Sequence, residues 1–120
     1  MRRNKAVGEF GEEIARKYLV SKGFRLVASN LKLSYREIDI IALEGDVLVF
    51  AEVKTRVYPG LGSASDALGG LKIKRLKTAI GHYLSEYRGV KYCRVRLDFI
   101  AIDINREQKT AKIKHFRDIV

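Results

Sequence analysis

The stretch that most constrains this chain is residues 37–56, EIDIIALEGDVLVFAEVKTR, where two nearly unbroken apolar runs flank a short turn. Runs of Ile, Val, Leu and Phe around Glu44-Gly45 predict a hairpin with strands over 35–43 and 46–55. Near-continuous apolarity, rather than alternation, predicts that both strands are interior and covered on two faces. Asp39, Glu52 and Lys54 interrupt these runs. Burying a charge costs several kcal/mol unless it is paired, so their placement asks for a reason.

The rest of the chain supplies layers for such a sheet. Residues 5–22 carry Val7, Phe10, Ile14 and Tyr18 at helical spacing, widened by Ala15 and Leu19, with Gly23 as a stop. A short strand is expected over 24–31. The glycine-rich connection 57–70 reads as loop with a helical turn around 66–68. A second amphipathic helix follows over 71–88, with Ile73, Leu76, Ile80, Tyr83, Leu84 and Tyr87 on one side. Strands over 92–104 and 110–116 end the chain. The order α-β-β-β-α-β-β predicts one α/β domain over 1–120, a mixed central sheet flanked by helices.

Charge narrows the partner. Twenty-four Lys+Arg against fourteen Asp+Glu leave +10, which favours a polyanion such as nucleic acid over a merely solubilising surface. No apolar run reaches bilayer length and no apolar segment follows the basic start, so the expectation is a cytoplasmic protein without membrane contact. A single cysteine, Cys93, allows no internal disulfide and no zinc site of its own.

Strand geometry gives the three charges a shared purpose. Glu52 and Lys54 are two apart and share a face. A Glu44-Gly45 turn would set Leu43 opposite Asp46, Asp39 opposite Phe50 and Glu37 opposite Glu52, with Asp39 and Glu52 as diagonal neighbours. Two carboxylates that close repel unless a cation lies between them, and Mg²⁺ suits such oxygen ligands. The plainer arrangement is a pair of structural ion pairs, Lys54 with Glu52 and Asp39 with an arginine.

The stretches GEEIARKYLVSKGF (11–24), EIDIIA (37–42), LVFAEVKTR (48–56), KIKRLKTAIGHYL (72–84) and RLDFIAI (96–102) resemble the YraN-like family of small bacterial proteins, within the PD-(D/E)xK nuclease superfamily. That resemblance implies a restriction-endonuclease-like fold and a Mg²⁺- or Mn²⁺-dependent endonuclease acting on DNA. It implies Asp39 and Glu52 as metal ligands, the Val53 carbonyl as a further ligand, Lys54 as the catalytic lysine and Glu12 as an auxiliary acid. The same signature occurs in archaeal Holliday-junction resolvases, which extends branched or repair intermediates and a homodimer to this chain as expectations. The chain departs from the pattern at Arg36, where glycine usually precedes Glu-Ile-Asp.

Lys72, Lys74, Arg75 and Lys77 on the second helix, with Arg56, are candidates for holding nucleic-acid phosphates. Asp98 reads as a structural carboxylate bonded to an arginine or lysine, and His82 and His115 as surface or packing residues. Tyr58 reads as packing, and the 57–70 connection as either a flap or a simple link. The competing functional expectations are a non-catalytic nucleic-acid-binding or repair-accessory module on the same scaffold, and a protein-interaction domain with incidental basic charge.

Overall fold

The computed structural model describes residues 2–33, 36–60 and 62–120. Tyr35, the expected start of the second strand, and Leu61, in the glycine-rich connection, lie outside the described residues. The chain runs α1 (Arg2–Ser21), β1 (Arg25–Leu33), β2 (Arg36–Glu44), β3 (Val47–Tyr58), a 3₁₀ segment (Ala64–Gly70), α2 (Ile73–Glu86), β4 (Arg94–Asn105) and β5 (Thr110–Phe116). Apart from the 3₁₀ segment, this is the expected order.

The five strands form one mixed sheet in the order β1-β2-β3-β4-β5. β3 and β4 are parallel neighbours, so a hairpin cannot join them and the chain crosses back through α2. Each helix covers one face. Ala15 and Leu19 of α1 pack on Ile40, Ala51 and Ile102, while Leu76, Ala79 and Tyr83 of α2 pack on Ile41, Leu48 and Phe50. β2 and β3 are therefore buried from both sides, as their composition requires.

Three local expectations need correction. The β2–β3 turn is Gly45–Asp46, since Glu44 pairs with Val47 and Leu43 with Leu48. Gly45 takes φ +60°, which a residue without Cβ adopts at little cost. Phe50 consequently faces Ile41, not Asp39, but a register shift of two preserves which face each side chain occupies. Phe10, placed by its spacing on the buried stripe of α1, is 54% exposed. The glycine-rich connection ends in the 3₁₀ segment, tacked to the sheet where the Ala64 N–H donates to Asp103 Oδ1 at 2.7 Å.

Gly11 lets α1 approach β3. A Cβ built there would lie 1.8 Å from Thr55 Oγ1, so no larger residue fits without displacing one of the two elements. That contact sets the height of the next residue, Glu12, over the sheet. Among the described residues, no helix is long and apolar enough to cross a membrane.

Candidate active site

The β2–β3 ladder stops at the pair Ile40–Ala51. Beyond it a side chain takes over, and the Val53 N–H donates to Asp39 Oδ2 at 2.9 Å. The pleat also slips here. Ile40 packs against the α1 layer, but Ile38 packs with the α2 layer, although regular alternation would put both on one face. Across the sheet, Asn30 lies between the pairs Leu31–Ile38 and Ser29–Ile40 and holds φ +53°. Asparagine tolerates that left-handed conformation better than most residues.

Asp39, at this break, meets a carboxylate from α1. One oxygen each from Glu12, Glu37 and Asp39 lie within 4.8 Å of one another. A cleft of about 420 Å³ is lined by Glu12, Asp39, Glu52, Val53, Lys54 and Arg56. Every expected catalytic and metal-site residue thus comes to one cleft, with Arg56 at its side. The backbone atom of Val53 engaged there is its N–H.

These acids are poorly matched with donors. Burial, with the Asp39 charge second, pushes Glu52 up to about 8. Burial, then Asp39 and Glu37, raises Glu12 to about 7, although Asn30 donates to it. Asp39 is raised chiefly by burial, against the opposing effect of the Val53 N–H, and its carboxyl shares a hydrogen bond with that of Glu52. Lys54 favours the charged form of both. The guanidinium that closes on Glu52 is that of Arg36, at 3.5 Å. An arginine therefore sits on Glu52 and not on Asp39, unlike the simple ion-pair arrangement. Crowded, partly buried carboxylate oxygens held back from ionising are a donor set that a hard divalent cation would relieve, so the residues fit Mg²⁺ or Mn²⁺.

The basic residues of α2 do not join this cleft. Lys74 and Arg75 line a second one with Arg36, while Lys77 lines a separate groove beside Arg96 and Asp118. Lys72 precedes the first turn of α2. Asp98 is wholly buried on Arg96 and His115, an arginine partner as expected. His82 pairs with Glu86 on the surface, and Tyr58 is 59% exposed, which removes its packing role.

Three residues of the site were not singled out by sequence reasoning. Glu37 carried a usable signal, standing two residues before Asp39 and so able to share its face. Arg36 and Asn30 carried none beyond their neighbours, because their roles come from contacts across strands.

The model of the Uncharacterised protein family UPF0102 matches residues 11–102. The chain belongs to UPF0102. The matched span holds Glu12, Glu37, Asp39, Glu52 and Lys54. A UPF0102 protein of Rhodococcus jostii is 40% identical over 118 residues, covering 98% of each chain. One from Pelotomaculum thermopropionicum is 36% identical over 95% of this chain and 94% of its own. One from Christiangramia forsetii is 37% identical over 98% and 96%. The UPF0102 likeness therefore extends end to end.

Proposed function

We propose that this UPF0102 protein is a Mg²⁺- or Mn²⁺-dependent endonuclease hydrolysing phosphodiester bonds of DNA, branched or repair intermediates among them. The observation that carries this reading is the convergence of Glu12, Asp39 and Glu52 with Lys54 and Arg56 in one cleft. Glu12, Glu37 and Asp39 would hold the ion, with Glu52 and the Val53 backbone at its border. When bound, such an ion activates water and neutralises charge at phosphorus.

The chain's own groups supply the rest. The Lys54 ammonium can orient an attacking water or offset charge on the phosphoryl oxygens. Arg56, on the same strand, holds the adjoining backbone phosphate, and the α2 cations Lys72, Lys74, Arg75 and Lys77 extend that positive surface. A net charge of +10 steers a polyanion toward them. Two copies in a homodimer would present two clefts to two strands.

The test is a panel of duplex, single-stranded, flap and four-way DNA with Mg²⁺ or Mn²⁺. Asp39→Asn and Glu52→Gln should abolish cutting while leaving DNA affinity within about twofold, since neither acid contacts phosphate without the ion. Variants that cut as well as the parent would remove this cleft as the site. Salt-sensitive binding with no turnover on any substrate would favour the non-catalytic module instead.

A further inference from the structure

We infer that the second cleft, between β2 and α2, binds a backbone phosphate of the nucleic-acid strand, with Arg36 joining it to the acidic cleft. The inference rests on the reading that the partner is a nucleic acid, but it does not need the protein to cut. The cleft encloses about 310 Å³ and is lined by Leu33, Arg36, Lys74, Arg75, Thr78 and His82 among others. Its lining holds three permanent cations and no carboxylate. Elsewhere cations are answered: Arg96 by Asp98 and Glu44, and Arg117 by Glu44.

Helical spacing builds one wall, because residues 74, 78 and 82 stack on consecutive turns of α2. Arg36 enters from β2 and is only partly engaged. Its Nη2 lies 3.5 Å from Glu52 Oε2, longer than the 2.7–2.9 Å of a strong charge-assisted bond. Its Nε is buried without a hydrogen-bond partner among the described residues, and such an unpaired donor is costly. A planar guanidinium with donors to spare matches the fork of a phosphate. His82 is drawn to Glu86 at 3.4 Å and Thr78 Oγ1 donates to the Lys74 carbonyl at 3.0 Å, so Arg36, Lys74 and Arg75 are the binding groups.

Because Arg36 lines this cleft and also touches Glu52 of the acidic one, a strand reaching from one to the other passes over it. A phosphate here positions the strand without reading its bases. It also gives Arg36 a second partner, drawing it from Glu52.

The experiment is binding of a labelled 12-nucleotide thymidine strand with divalent ions chelated, alongside amide-resolved NMR of the unaltered protein. The Lys74→Gln/Arg75→Gln variant should lose about five- to tenfold in affinity, and its salt slope should fall by about two. Arg36→Gln should lose affinity too. The charge-matched control Lys112→Gln/Lys114→Gln on β5 should change affinity less than about twofold. In the parent protein, the strand should shift the Thr78 and Ala79 amides at concentrations where inorganic phosphate does not. Shifts with inorganic phosphate alone would make this a free-anion site and overturn the strand assignment. Affinity losses no larger than the control's, or unmoved Thr78 and Ala79 amides, would overturn the proposal even if metal-dependent cutting is intact. Cutting absent on every substrate, with the cleft variants still weakened, would overturn the nuclease reading and leave this site standing.

Discussion

Glu52 on β3 and Asp98 on β4 are close neighbours in the sheet, since Glu52 pairs with Phe99, yet they meet opposite fates. Asp98 is wholly buried, which alone would raise its pKa. His115 Nε2 at 2.7 Å, Arg96 Nε at 2.8 Å and the Asp118 N–H at 2.9 Å outweigh that and hold it at about 2. Glu52 is less buried but faces Asp39, and burial and that charge together lift it to about 8. Depth does not decide the difference; the count of donors does. A saturated carboxylate ties elements together, here with Tyr18 Oη 3.1 Å from the far nitrogen of His115, linking α1 to β5. An undersaturated cluster has no such use, which is why it marks the functional cleft.

The largest expected effect breaks this contrast directly. Asp98→Asn should cost about 3–5 kcal/mol in urea unfolding, because it leaves Arg96 buried without its partner charge. Glu52→Gln, in the same assay at pH 8, should leave stability unchanged or higher. Equal losses in both would show that the two acids play the same structural part. Next, Gly11→Ala should cost about 1–3 kcal/mol by pushing α1 off Thr55, and should weaken Mg²⁺ binding by lifting Glu12.

The pH dependence should show both acids with opposite signs. Asp98 has a lowered folded pKa, so its contribution, about 2 kcal/mol, is present above the unfolded value and lost as pH falls from 4 toward 2. Glu12 and Glu52 have raised folded values, so the native state keeps protons that the unfolded chain releases, and stability falls as pH climbs from about 4.5 to 8. Stability curves should lose the acid limb in Asp98→Asn and flatten toward pH 8 in Glu52→Gln. Added Mg²⁺ should flatten that upper limb in the parent protein. The smallest effect is Arg117→Ala, whose exposed pair with Glu44 should be worth under about 1 kcal/mol by thermal unfolding.

Much of this was readable before any coordinates. Apolar runs around Gly45 announced an interior hairpin, and the parity of Glu52 and Lys54 put them on one face. The turn was misplaced by one residue because Glu44-Gly45 and Gly45-Asp46 are equally good two-residue turns by composition. Phe10 was misassigned because helical spacing marks an apolar stripe but not where the partner sheet ends. Arg36 looked like a mere substitution for glycine until the fold set it between Glu52 and the α2 cations.

Strand and helix periodicity, the basic excess and the residue types at 12, 39, 52 and 54 belong to the sequence, because they depend on local backbone geometry and on composition. The break in the pleat at Asp39, the entry of Glu12 from a separate helix and the donor counts that divide Glu52 from Asp98 belong to the tertiary structure. Those depend on which groups share a small volume, and packing decides that between residues far apart in the chain.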